Sequence, residues 1–215
     1  AGRPRAKLVV YPIEPVPPDG LQRINWICDR RLREDGFGGG LTAPSREDWS
    51  KPGSLDDLLP TFGSWRFAWL DVPGLIRAAE QILEWPMVDR DPLPRWRHGH
   101  TTLLGDAAHP MYPIGSNGAT QAILDAAALA DALDGHASIT AALNAYEAAR
   151  LPMTRDIVAM NRREGLDAIL DMVEEAAPEG FARIEDVTDP TVLAEWVQAY
   201  KKAAGHQVGR PQSAP

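Results

Sequence analysis

The spacing of apolar residues changes character along this chain. Through the first hundred residues the runs are short and alternate. Beyond residue 119 the apolar positions fall three and four apart, the helical period. Residues 8–13 and 21–28 are alternating runs on either side of a turn-rich stretch holding Pro15, Pro17 and Pro18, and they predict an antiparallel pair. In the second run Ile24, Trp26 and Cys28 share one face and Arg23, Asn25 and Ile27 the other, so one face is apolar and aromatic. A short helix is predicted from Ser54, where Ser54 and Asp57 form a capping box ahead of Leu58 and Leu59, with Pro60 close behind. A second runs from Pro73 to Gln81 with Asp71 as its cap, followed by a strand over residues 82–88. Residues 101–104, short, β-branched and apolar, read as another strand ending at Gly105-Asp106.

The rest of the pattern is helical. Residues 119–133 are alanine-rich and end before Gly135, which suits a left-handed C-terminal glycine. Ile139, Leu143 and Tyr146 form one stripe until Pro152 interrupts, and Leu166, Ile169, Leu170 and Val173 form another. The final helix has Asp189 as N-cap, Pro190 in its first turn, and Leu193, Trp196, Val197 and Tyr200 along one face. Residues 35–54, rich in Gly, Pro and Ser, are expected to be a mobile loop, and the tail from Gly205 disordered. The fold class this predicts is α+β. An antiparallel or mixed sheet region occupies residues 1–93, a strand-loop-helix segment 94–134, helices 135–205, and a disordered tail 206–215.

Composition narrows the partners. The 215 residues are 44% hydrophobic and 24% charged, enough to bury a substantial core. The 30 acidic residues against 22 Lys and Arg leave no basic surface for phosphates, so nucleic acid is not an expected partner. Cys28 is the single cysteine and reads as a small buried hydrophobe; zinc-type cysteine pairs are absent, and a reducing cytoplasm fits. No run approaches the roughly 20 apolar residues of a membrane span. The opening residues lead straight into a strand-like run, as in a chain cut from something longer.

The chemistry is concentrated in Gly105-Asp106-Ala107-Ala108-His109-Pro110 and the following Met111-Tyr112-Pro113-Ile114-Gly115-Ser116-Asn117-Gly118-Ala119. A buried strand is expected to deliver Asp106 at its carboxyl end, with Gly105, Ala107 and Ala108 small enough to leave room for a bulky ligand. Pro110 and Pro113 stiffen the loop, Gly115 and Gly118 allow close backbone approach, and the loop opens into the helix near Ala119. A helix start carries roughly half a positive charge and stabilises a facing anion by about 0.3 to 1 kcal/mol. The lysine that follows the glycines of a phosphate loop is missing, so a flat ligand that becomes anionic fits better than a triphosphate.

Residues 94–133 resemble the second flavin-binding motif of the class A flavoprotein monooxygenases, the para-hydroxybenzoate and salicylate hydroxylase type, where Gly-Asp-Ala-Ala-His-Pro follows a strand. The flanking residues 86–93 and 121–126 extend the resemblance without gaps. It implies FAD, with Asp106 on the ribityl hydroxyls, the loop from Gly105 and backbone amides of Gly115, Ser116, Asn117, Gly118 and Ala119 at the N1 and C2 edge of the isoalloxazine, and Pro113 near the reactive edge. It further implies reduction by NADH or NADPH, a C4a-hydroperoxide, and hydroxylation of a small aromatic or heteroaromatic substrate covered by Trp26, Trp69 and Tyr112. Residues 1–93 would then be the substrate-binding region. Two departures mark a subgroup: Ser116-Asn117 stand where relatives commonly have a Gly-Gln-Gly type loop, and Leu124 stands where an acidic residue is common. The family's Gly-x-Gly-x-x-Gly is absent, because the cluster Gly36-Phe37-Gly38-Gly39-Gly40 has Leu41 where the last glycine belongs. The expectation is a C-terminal part of such an enzyme, inactive alone, whose partner is an N-terminal dinucleotide-binding half; pairing into homodimers is left open.

The remaining candidates have plainer readings. His109 is expected in packing or loop hydrogen bonding, and His98 and His100 point to opposite faces, which argues against a shared metal. Asp125 and Asp131 read as solvent-facing or N-terminal-turn charges, and Trp65, Trp69, Trp85 and Trp96 as core or interface residues. Two other classes compete. Gly105-Asp106-Ala107-Ala108 also resembles the metal-binding segment of haloacid-dehalogenase-type phosphatases, but the early Asp-x-Asp is missing. The other is a non-catalytic binding module that keeps the fold without FAD.

Overall fold

A computed structural model describes residues 2–3, 6–18, 20–30, 48–85, 87–162 and 168–203. The Gly36–Gly40 cluster, most of the 35–54 loop, Leu166 and the 206–215 tail lie outside the described residues. The architecture is α+β, with two small antiparallel sheets and a predominantly helical second half. The chain divides into two compact units, residues 1–86 and 87–215.

In the first unit β1 (Gly2–Arg3), β2 (Ala6–Pro12) and β3 (Ile24–Arg30) pair antiparallel in that order, with Leu8 opposite Cys28 and Val10 opposite Trp26. The alternation predicted for β3 sets its faces: Trp26 and Cys28 pack inward while Ile27 stays exposed. Desolvation pushes the Cys28 thiol up to about 12, although the side chain is half-buried rather than fully enclosed as expected. Helix α1 (Leu55–Phe62) starts at Ser54, whose hydroxyl accepts from the Asp56 N–H rather than closing a box with Asp57; Pro60 lies inside the helix, not behind it. A hairpin of β4 (Arg66–Phe67) and β5 (Leu70–Asp71) leads into α2 (Val72–Arg77), capped by Asp71 at the Gly74 N–H. The sheet's inner face, α1 and α2 enclose Leu8, Phe62, Trp65, Val72 and Ile76.

Two expectations here are corrected. Helix α2 stops at Arg77 instead of Gln81, and the described residues of 82–88 make no strand, only a bridge from Leu83 to Pro52. An apolar run becomes a strand only when a partner edge satisfies its backbone, and here the Ile82 carbonyl and Glu84 N–H reach just the Lys51–Gly53 segment.

In the second unit a helical hairpin dominates. Helix α3 (Gly118–Gly135) and α4 (Ile139–Arg162) pack through small residues, Ala128 and Ala132 against Ala142 and Ala145, so their backbones approach closely. Gly135 closes α3 as an ordinary helical residue, not in the left-handed region, and the chain leaves at an extended His136. Helix α4 runs straight through Pro152 rather than breaking there, because Leu143, Tyr146, Arg150, Leu151, Thr154, Ile157 and Val158 bury one continuous face on both sides of the proline. That burial outweighs the cost of one missing helical hydrogen bond, about 3 kcal/mol in an isolated helix. Ile139 is exposed and outside the stripe predicted for it. Helix α5 (Ala168–Ala176) follows, then α6 (Pro190–Ala203) with Asp189 accepting from the Thr191 N–H; Leu193, Val197 and Tyr200 face inward, while Trp196 is exposed. No described helix is long and apolar enough to cross a membrane.

Candidate functional site

Residues 96–109 form a strap laid over the helical hairpin. The Glu147 carboxylate accepts from the N–H groups of Trp96 and Arg97 at 2.5 and 2.6 Å, and the Tyr146 hydroxyl donates to the Leu103 carbonyl at 3.1 Å. The predicted strand over residues 101–104 is corrected. His98 and Thr101 close a tight turn, and the extended residues after it end in a single 3-10 turn, Gly105–Ala107. Among the described residues no strand offers 101–104 an edge; the Thr101 carbonyl accepts the His98 N–H and the Leu103 carbonyl the Tyr146 hydroxyl. Gly105, buried with φ +59°, accepts the Ala108 and His109 N–H groups that close the turn. The space spared by its missing side chain is taken by Ala122 of α3, not left for a ligand: a Cβ there would come 3.2 Å from the Ala122 methyl.

The turn delivers Asp106 to the surface. Among the described residues no donor reaches its carboxylate. It stands at the start of α3, since a Cβ built on Gly118 would lie 3.9 Å from Asp106 Oδ1 and meet nothing closer. The first amides of α3, Gly118, Ala119 and Thr120, have no main-chain carbonyl to bond, whereas the Gln121 N–H is bonded to Asn117 O. Pro113, Gly115, Ser116 and Ala119 are exposed around them. A carboxylate that no described donor reaches therefore sits at a helix start whose first three amides have no main-chain acceptor.

The loop's own hydrogen bonds involve two of the predicted residues. The Ser116 N–H is already spent on the Pro113 carbonyl at 3.2 Å. Asn117 is fully buried and its side-chain amide donates to the Tyr200 hydroxyl, so its side chain holds the loop from behind. Tyr112 is part-buried, its carbonyl accepts from the Asn161 side chain at 3.1 Å, and desolvation together with the Asp89 carboxylate raises its phenol above the ordinary range. Trp26 packs on the first unit's core, while Trp69 is 72% exposed and stacks on Phe67 with ring centroids 5.5 Å apart. Trp65 and Trp96 are buried, as expected of core residues; Trp85 is exposed against Trp49.

The largest departure is Asp125. It is completely buried, not solvent-facing, and accepts from Arg150 Nε at 2.7 Å, His109 Nε2 at 2.6 Å and the Gly105 N–H at 3.0 Å. Burial by itself raises its carboxyl, but the hydrogen bonds from His109, Arg150 and Gly105 outweigh that and hold it below the ordinary range. Arg150 Nη2 donates to Gln121 Oε1 at 2.7 Å, and Nη1 points to Met153 Sδ at 3.6 Å. His109 thus does the loop hydrogen bonding expected of it. A charged cluster behind the turn fixes Gly105 and, through it, the direction of Asp106. Helical spacing agrees with both placements once the inward faces are known: Asp125 lies four residues from Gln121 and seven from Ala132, and Arg150 seven from Leu143. An open groove of about 540 Å³ lined by Pro92, Pro94, Arg155, Val158, Ala159 and Arg162 includes none of the predicted site residues. No cluster of metal-ligating side chains occurs among the described residues.

Comparisons with known proteins meet this geometry. Residues 73–161 match the FAD binding domain family. The chain is 52% identical over 143 residues to phenazine 1,6-dicarboxylic acid hydroxylase PhzS of Lysobacter antibioticus, covering 66% of this chain and 34% of that protein. It is 42% identical over 133 residues to 3-amino-4-hydroxybenzoate 2-monooxygenase PtmB3 of Streptomyces platensis, covering 60% of this chain and 33% of that protein. A salicylate hydroxylase structure in a substrate complex superposes with a TM-score of 0.60 at 21% identity, over 93% of this chain and 47% of that one, which shows a shared fold. The chain spans about a third of the length of the curated relatives it matches. With the Gly-Asp turn and the glycine-bracketed loop inside the residues that match an FAD binding domain, the chain is similar to the class A FAD-dependent aromatic hydroxylases.

Proposed function

We propose that this chain supplies the flavin-ring side of an FAD site in a monooxygenase that hydroxylates an aromatic or heteroaromatic acid. The observation that carries it is the meeting of the unpartnered Asp106 carboxylate with the open amides of Gly118, Ala119 and Thr120. The fit is chemical as well as spatial. A carboxylate without donors seeks hydroxyls, which a ribityl chain has, and helix-start amides seek an acceptor edge on which charge builds, which an isoalloxazine has on reduction. Asp106 would hold the ribityl hydroxyls, Gly118 and Ala119 the pyrimidine edge, with Gly105 shaping the turn and Pro113 and Gly115 bordering the ring. Bound FAD, reduced by NADH or NADPH, supplies the oxygen-activating chemistry.

The protein's own work is positioning and exclusion of water. The Asp125 cluster keeps Asp106 aimed, and the stiff, proline-bearing 110–117 segment presents the amides without further ordering. For the substrate, the reading follows the relatives, whose names describe hydroxylation of a phenazine dicarboxylic acid and of an aminohydroxybenzoate. A planar aromatic acid is the shared chemistry. Residues 1–93 are proposed as the substrate-binding region, with Trp26, Trp69 and Tyr112 as aromatic contacts, and a reducing cytoplasm as the setting. The ADP half of FAD needs residues other than these, since no Gly-x-Gly-x-x-Gly occurs in the sequence. The non-catalytic module has no observation in its favour.

The test is a flavin-fluorescence titration of the chain with FAD, repeated with Asp106→Ala. Quenching with a Kd raised roughly tenfold or more by the substitution, at unchanged circular dichroism, is expected. Equal affinities in the two proteins would remove Asp106 from the site.

A further inference from the structure

The loop at the head of α3 is held from an unexpected direction. Gly115 and Ser116 both lie in the left-handed region, with φ of +73° and +55°. For Ser116 that conformation is unfavourable and persists only where the surroundings impose it. The residues on either side of the Gly115-Ser116 pair are held from α6, some eighty residues on. The Tyr200 hydroxyl donates to the Ile114 carbonyl at 3.1 Å and receives the Asn117 side-chain amide. Asn161 of α4 completes the knot: its Oδ1 is 3.4 Å from the same hydroxyl, and its amide donates to the Tyr112 carbonyl at 3.1 Å. Asn117 and Asn161 are fully buried and Tyr200 nearly so. The fit is steric too. A Cβ on Gly115 would fall 1.7 Å from Tyr200 Oη, so the hydroxyl occupies the space a side chain at 115 would need.

We infer that Tyr200 is a positioning residue for the flavin-facing loop: its hydroxyl locks the Gly115-Ser116 pair in the left-handed form that leaves the Gly118 and Ala119 amides facing outward. The inference rests on the flavin reading of this site. It assigns to α6, a helix whose pattern announces only a buried stripe, a share in setting the electrostatics felt by the ligand. Without the hydroxyl, the Ile114 carbonyl and the Asn117 amide lose a buried partner, and Ser116 loses what opposes its strain.

The experiment compares the unaltered chain, Tyr200→Phe and Asp106→Ala. Three quantities are read: hydrogen exchange of the 112–121 peptide without ligand, FAD affinity by fluorescence quenching, and the visible absorption band of the bound flavin. Tyr200→Phe is expected to speed exchange in that peptide, weaken FAD roughly tenfold, about 1.4 kcal/mol, and shift the band. A role limited to holding α6 in place would lower the melting temperature and leave the band unmoved. In a folded variant, unchanged loop exchange or an unchanged band overturns the inference. Should Tyr200→Phe fail to fold, Asn117→Ser, which removes the donor to the same hydroxyl, is judged by the same three readings. If Asp106→Ala binds FAD as tightly as the unaltered chain, the flavin reading itself fails. If Asp106→Ala weakens binding while Tyr200→Phe moves neither loop nor band, only the role of Tyr200 fails.

Discussion

Asp125 shows what one residue can carry in this fold. Its carboxylate answers a guanidinium, an imidazole and a backbone amide inside a space closed to water. Asp125→Asn keeps the shape but leaves Arg150 buried without its counter-charge, and a loss of about 3 kcal/mol in urea unfolding is expected. The pH dependence follows from the sign of the shift. Because the folded carboxyl titrates below the ordinary value, the folded chain binds fewer protons than the unfolded one around that value. The stabilisation from Asp125 is therefore complete above about pH 4 and lost as pH falls through the depressed folded value. The stability gap between the unaltered chain and Asp125→Asn should be flat from neutrality to about pH 5 and close below about pH 4; a gap that widens on acidification would contradict this. The sequence made Asp106 legible, because Gly-Asp at a turn between an extended run and a glycine-bracketed helix start has few readings. It hid Asp125, because a lone acid in an alanine-rich helix looks solvated until the arginine on the neighbouring helix is known to face it.

Elements were legible where the signal is local. The caps at Ser54, Asp71 and Asp189 fall where the sequence puts them, since a cap is decided by three or four neighbouring residues. Ser54→Ala should cost about 1 kcal/mol, read as a lower thermal midpoint of the first unit, and no change would mean that α1 is held by packing alone. The alternation in β3 likewise chose its inner face correctly. What failed was non-local. Residues 82–88 and 101–104 have strand composition, but a strand is a property of two segments, and the second segment is missing among the described residues. Pro152 misled in the opposite direction, as a breaker overruled by a buried face that extends past it. Restoring the helical donor with Pro152→Ala should raise the melting temperature, whereas a drop would show that the proline shapes α4 in a way packing depends on.

At the scale of the whole molecule the chain is proposed to hold one side of a cofactor site; its sequence has no Gly-x-Gly-x-x-Gly for the other, and it spans about a third of the length of its curated relatives. Much of the affinity for FAD should come from contacts to the ADP half, so the purified chain is expected to be colourless and to bind FAD weakly. Recovery of a stoichiometric yellow protein would contradict that division. In the proposed site the carboxylate at 106 and the amides opening α3 face one planar ligand. Following backbone amide NMR shifts of the chain during titration with FAD tests it most directly. The largest, saturating changes are predicted at Asp106, Gly118, Ala119 and Thr120; changes that leave those four amides still while moving others would contradict it.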